Sequence, residues 1–274
     1  MNNETHKTCF FLPAINVDKT EEDFISIVIT CILNLVFSLL TTVGNFVILH
    51  AICKTQNLRS PSFILLCCLA FSDLLVGAIC QPLLVAVQIT KLLNNLSAYC
   101  IFAMFSDISG YLTSGISFLT LAAVSIDRLL ALTLHLRYNA IVTISRVFQT
   151  TFALWISATA CVMLKFFLSN GDWLFLAFVI FVLTLLVITM STLKILQIVR
   201  KHQRHINDQN MAALNRQTST VNVLKCRKSA VTVLYVYCLF LLFYLPFSVT
   251  IFLGALTGRT RKLKIAYDFA STAV

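Results

Sequence analysis

The chain has 274 residues, of which 58% are apolar and only 12% charged, with a formal net charge of +10 and a mean hydropathy of +0.87. A water-soluble domain of this length cannot hide so much apolar surface, because a folded exterior stays largely polar. The positive balance does not point to nucleic acid either: the Lys and Arg residues rim long apolar runs, where anionic headgroups and acidic partner surfaces are the expected neighbours.

The first 23 residues are polar and end in Glu21, Glu22 and Asp23. No apolar stretch follows a basic start, so residues 1–23 read as an extracellular N-terminal segment, and the first span serves as the insertion signal. Six runs then reach the roughly 20 apolar residues that a helix needs to cross a bilayer. They cover about 24–53, 62–90, 99–126, 147–168, 173–199 and 229–257. A seventh begins near Ile265 and has about ten residues up to Val274, too few to span. The expectation is an all-α membrane protein over 24–274, a seven-transmembrane bundle with an incomplete last helix.

Loop charge sets the orientation. The gaps after spans one, three and five hold thirteen of the 21 Lys and Arg residues, including Lys54, Arg59, Arg128, Arg137, Arg146 and the series from Lys194 to Lys228. Positive residues favour the cytoplasm, which places the N-terminus outside. The late cluster Arg259 to Lys264 runs against the rule. Asn3-Glu4-Thr5 and Asn95-Leu96-Ser97 are N-glycosylation patterns, and both acceptors, Asn3 and Asn95, fall on the expected outer face. Most of the ten cysteines lie within spans, as small apolar residues. Cys9 and Cys100 face the oxidising side, where a disulfide between them is one option that spacing alone does not argue for. The Cys and His residues show no metal-ligand spacing.

Polar residues at membrane depth are costly and tend to mark function. Asp73, Asn45 and Ser117 lie on three different spans, about 18, 13 and 16 Å from the nearer inner boundary at 1.5 Å per residue. An ionised Asp73 there requires polar partners, or a small cation with water. The plainer reading is hydrogen-bonding glue between helices. On span three, Asp107 and Arg128 stand about 31 Å apart along the axis, one bilayer thickness. One helix thus carries an acid at the outer mouth and the Asp127-Arg128 pair at the inner one. Asp107 also reads as a solvated acid at a helix N-terminus, and Asp127-Arg128 as an ordinary interfacial pair.

A set of short motifs falls on these spans in order. Span one holds Gly44-Asn45, and span two reads Leu69-Ala70-Phe71-Ser72-Asp73-Leu74-Leu75. Span three ends Ser125-Ile126-Asp127-Arg128-Leu129, span four has Trp155, and span six has Phe243-Tyr244-Leu245-Pro246-Phe247. On these residues the chain resembles the rhodopsin-like (class A) G-protein-coupled receptors over nearly its whole length. Within them it looks most like the melanocortin, adenosine, cannabinoid and lysophospholipid cluster. Span five lacks proline, the loop from Ser169 to Asp172 is very short, and His135 to Thr143 is similar to a melanocortin-type inner loop.

The resemblance implies a plasma-membrane receptor, not an enzyme, that passes the binding of an extracellular ligand to a heterotrimeric G protein. It assigns Asp107, Gly110, Tyr244 and Phe247 to the ligand site. Asp107 matches an acid that melanocortin receptors use with calcium and a cationic peptide, although that set's other two acids map onto Leu83 and Ala103. The acid of amine receptors maps onto Gly110, which implies a ligand other than an ordinary amine. Asp73, Asn45 and Ser117 match the positions that hold an allosteric sodium ion, the one cofactor implied. Asp127, Arg128 and Arg137 fall to G-protein coupling, Pro246 to the hinge of span six, and Tyr244 to the switch usually given to Trp. There are departures. Thr192 replaces a tyrosine and Leu129 follows Asp-Arg. No acid opens span six at Lys225-Cys226-Arg227-Lys228, which implies raised basal activity. Other readings are a non-signalling decoy or receptor partner, and a small cation transporter built on Asp73 and Asp107, for which no inverted repeat is visible.

Overall fold

The computed structural model describes residue 9, residues 21–54, 61–134 and 137–212, then 235, 238–239, 241–242, 244–246, 248–250, 253, 266 and 269. The rest of the spans expected at 229–257 and 265–274 lies outside the described residues. The helices are α1 (Glu21–Lys54), α2 (Pro61–Leu75), α3 (Gln81–Leu92), α4 (Leu96–Leu134), α5 (Tyr138–Ile141), α6 (Ile144–Leu164) and α7 (Asn170–Ala212), with a π-helical turn, Val76–Cys80, joining α2 to α3. No strand occurs among the described residues. Five helical stretches are long and apolar enough to cross a membrane: Phe24–Lys54, Phe63–Leu92, Leu96–Leu134, Ile144–Leu164 and Gly171–Lys201. The protein is an all-α, multi-pass membrane bundle.

The bundle is inside-out relative to a soluble fold. In α1, Ser26, Thr30 and Asn34 recur every fourth residue and are buried, whereas Leu39, Val43 and Phe46 are more than half exposed. Lipid tails are as apolar as leucine, so large apolar side chains gain nothing by turning inward. Small and polar residues gain close approach and hydrogen bonds instead. The Thr30 hydroxyl donates to the Ser26 and Ile27 carbonyls, and the Asn34 amide to the Thr30 carbonyl.

The second span is continuous, as its apolar run suggests, but its hydrogen-bond ladder changes register. Pro82 has no N–H and crowds the carbonyl one turn back, so the regular ladder cannot pass it. The chain widens into the π turn, in which the Gln81 N–H bonds to the Val76 carbonyl. In that register the Gly77 carbonyl would have to pair with Pro82, which lacks a donor. Ser38 of α1 donates to it instead, at 2.6 Å. Gly77 also lets α1 come close: a Cβ there would lie 2.7 Å from Thr42 Oγ1 and 2.9 Å from the Thr42 nitrogen.

Caps place the remaining helices. Asn94 takes a left-handed φ of 53°, and Asn95 Oδ1 accepts from the Ala98 N–H at 3.2 Å, starting α4. Thr143 caps α6. Ser169 accepts from the Asp172 N–H and donates to the Asp172 carboxylate, a reciprocal cap that starts α7. Among the described helices, three ends differ from expectation by four residues or more. Span three runs to Leu134 rather than 126, span four ends at Leu164 rather than 168, and the helix of span five continues to Ala212 rather than 199. Polar residues past a bilayer edge do not end a helix that lacks a Pro or Gly stop, so hydropathy marks the membrane and not the helix end.

α4 is the hub and packs against α2, α3, α6 and α7. Cys68, Ile116 and Ala158 form one core cluster, with Trp155 packed on it. The Trp155 indole N–H donates to Cys68 Sγ at 3.3 Å. Phe118, Leu121, Ala122 and Ile188 form a second, against which Phe181 and Tyr244 pack.

Candidate functional site

Cys9 and Cys100 form a disulfide that ties the N-terminal segment to the first turns of α4; the end that carries it is called the outer end below, after the orientation that loop charge predicts. A bond of this kind persists on an oxidising side.

At that end Asp107 forms an ion pair with Lys165, which lies one residue beyond α6. The Lys165 ammonium also sits over the Tyr111 ring, 4.8 Å from its centroid, and the Trp173 ring at 5.3 Å. Those rings meet edge to face at 4.6 Å, and the Trp173 N–H donates to the Cys161 carbonyl. One cation therefore joins α4, α6 and α7. Burial lowers the Lys165 pKa to about 8, and the Asp107 carboxylate beside it works the other way, holding the charge.

Beneath this cluster a cavity of about 530 Å³ lies among α4, α6, α7 and the described part of span six. Tyr111 and Trp173 form its outer wall, and Phe118, Phe181 and Tyr244 its inner one. Phe118 stacks on Phe181 at 5.0 Å and on Tyr244 at 6.0 Å. Of the residues expected at a ligand site, Tyr244 lines the cavity. Asp107 joins it only through Lys165. Gly110 does not line it and has open space around its Cα. Phe247 lies outside the described residues.

Halfway down α4, Ser117 donates to Asp73 Oδ1 at 3.0 Å and lies 2.8 Å from the Ser72 hydroxyl, which in turn reaches the Leu69 carbonyl. Two hydroxyl hydrogens serve three contacts, so the set is one hydrogen short while Asp73 is ionised. Asn45, expected to join them, donates its amide to the Thr41 carbonyl of its own helix at 3.0 Å.

At the inner end Asp127 is buried and accepts a 2.6 Å hydrogen bond from the Tyr138 hydroxyl of α5. Arg128 is half-buried, and Arg137 is exposed at the cap of α5. Arg146 donates to the Ile141 carbonyl, bracing the same loop. Pro246 is exposed within a helical stretch. Of the glycosylation acceptors, Asn95 is exposed and Asn3 lies outside the described residues. The sequence reading gave no role to Lys165, Tyr111, Trp173 or Tyr138. A signal for Lys165 was present, since a lysine inside an apolar run calls for an acid partner.

Compared with protein families, residues 44–174, just under half of the chain, match the 7 transmembrane receptor (rhodopsin family). That stretch runs from the second half of α1 to the start of α7 and includes the Asp73–Ser117 contact, the Asp107 position and the Asp127–Tyr138 pair. Over these residues the chain is similar to seven-transmembrane receptors of the rhodopsin family, and its helical multi-pass bundle is of that kind.

Proposed function

We propose that the protein is a class A G-protein-coupled receptor of the plasma membrane, with its N-terminus outside, and that it transmits occupancy of the outer cavity to a heterotrimeric G protein. The observation that carries this is the α4 hub. One helix carries the Asp107–Lys165 pair in its first third, borders the cavity with Tyr111 to Leu119 and holds the Asp73–Ser117 contact at its middle, and buries Asp127 in its last third, within the stretch that matches the receptor family. A ligand that prefers one packing of α4, α6, α7 and span six shifts the population of packings, and the inner end reads out the shift. Tyr244, against Phe118, is placed to couple cavity to core, and Pro246 to let span six bend. At the inner end Arg128, next to the Asp127 that Tyr138 holds, would meet the G protein beside Arg137.

Asp73 and Ser117 supply convergent oxygens, the donor type that a hard cation takes. They would hold a sodium ion with Ser72 as neighbour, and Asn45 would have to leave Thr41 to join. Such an ion supplies the missing positive charge and favours the packing that brings α2 and α4 together. The sequence's ground for a cationic or peptide ligand is Asp107, and its pairing with Lys165 weakens that ground.

Nucleotide exchange on a purified heterotrimeric G protein, with the full chain in nanodiscs, tests the proposal. Agonist-free exchange above that of the G protein alone, lost in Arg128→Ala, is the expected result. Cation flux through proteoliposomes without any exchange would place the chain with transporters instead.

A further inference from the structure

We infer that the cavity beneath Lys165 takes an uncharged, predominantly apolar molecule with at most a hydroxyl-type donor, and that the Asp107–Lys165 pair keeps cations out of it. This deepens the receptor reading, since it takes the cavity as that receptor's ligand site.

Among the described residues no charged side chain lines the cavity. Its polar groups are few hydroxyls, and most of their hydrogens are committed. Ser157 donates to the Leu154 carbonyl at 2.9 Å, Ser248 to the Tyr244 carbonyl at 2.8 Å, and Tyr244 shares a side-chain hydrogen bond with Ser114. The Trp173 N–H is taken by Cys161. What faces a ligand is a few hydroxyls and no cation among the described residues, which suits a single alcohol group and leaves a carboxylate or phosphate without a counter-charge. A charged ligand would lose its hydration and gain no counter-charge inside.

The acid that could attract a cation already has one. Lys165 pairs with Asp107 and is held in place by two aromatic faces, so a cationic ligand must displace a tethered ammonium that is pinned at three points. The volume suits a drug-sized apolar molecule. Phe175 and Phe178 line the cavity and are also exposed on α7. These two rings form a wall between the cavity and the face of a helix long and apolar enough to cross a membrane, the side from which an apolar molecule would approach.

Photolabelling of the full chain in nanodiscs at neutral pH tests this. The probes are a diazirine-bearing dodecanol and its trimethylammonium analogue, with labelled peptides read by mass spectrometry. In the wild type the alcohol labels the 173–181 peptide about tenfold more than the ammonium probe, an easily resolved difference in affinity. Ala177→Phe, which fills the cavity, brings alcohol labelling down to the level of lipid-facing α1 peptides. Lys165→Met frees Asp107 and raises ammonium labelling about tenfold, and Asp107→Asn added to it restores the wild-type pattern. Equal labelling by both probes in the wild type overturns the inference, as does alcohol labelling untouched by Ala177→Phe or by Gly115→Leu, the second filling variant. The wild-type comparison stands even if Lys165→Met does not fold. Labelling needs no G protein, so a chain that fails to signal still reports on its cavity.

Discussion

Gly77 shows what a single position does here. Its missing side chain admits Thr42, and its carbonyl takes the Ser38 hydrogen. Gly77→Ala places a methyl against backbone that cannot move away. The expected cost is about 1–3 kcal/mol, the usual range for overpacking, read as a lower melting temperature in detergent with helix content unchanged. Asp73 and Ser117 make a second residue-scale test. If a sodium ion completes their contact, replacing choline with sodium raises the melting temperature of the wild type by binding the folded state. Asp73→Asn abolishes that rise, and Ser117→Ala reduces it. Equal sensitivity to sodium in Asp73→Asn would place any ion elsewhere. The depth of both residues was legible in the sequence, because polar groups inside apolar runs stand out. The Asn45–Thr41 bond was not, since a side-chain amide that pairs with its own helix leaves the same residue pattern as one that reaches across.

At the scale of elements, the second span carries the clearest lesson. Its apolar run told of one continuous helix, and the change of register before Pro82 was not among the expectations. Which helix would satisfy the freed carbonyl depended on packing that no single run encodes. A double-mutant cycle tests the account. Ser38→Ala should cost on the order of 0.6–1.7 kcal/mol in the wild type, the range for hydrogen bonds between membrane helices. In a Pro82→Ala background, where the ladder regains a donor for Gly77, the same change should cost close to nothing. Additive costs would mean that Ser38 serves some other end. The ends of α4 and α7 follow the same reasoning. Hydropathy located where each crosses the bilayer, but Asp127 to Leu134 and Lys201 to Ala212 stay helical because no Pro or Gly interrupts them. The short loop at Ser169 was legible, and its reciprocal cap with Asp172 explains why so few residues suffice to turn the chain.

For the whole molecule, the buried stripe of α1, the α4 hub and the outer cavity describe one object: a bundle whose polar residues face inward and whose two ends differ. The end that loop charge predicts to lie outside carries the Cys9–Cys100 disulfide, the exposed capping residue Asn95 and the Asp107–Lys165 pair. The inner end carries Asp127, Tyr138 and the basic tail of α7. Loop charge predicts which end faces out, while the pairing that neutralises Asp107 was not readable, because Lys165 is 58 residues away and just past the end of another helix. A receptor needs those ends on opposite sides of the membrane in one definite sense. The direct measurement is labelling by a membrane-impermeant maleimide at two introduced cysteines, Ser97→Cys at the outer end and Arg204→Cys on α7. The account predicts that Ser97→Cys reacts on intact cells and that Arg204→Cys reacts only after permeabilisation; the reverse order would contradict it.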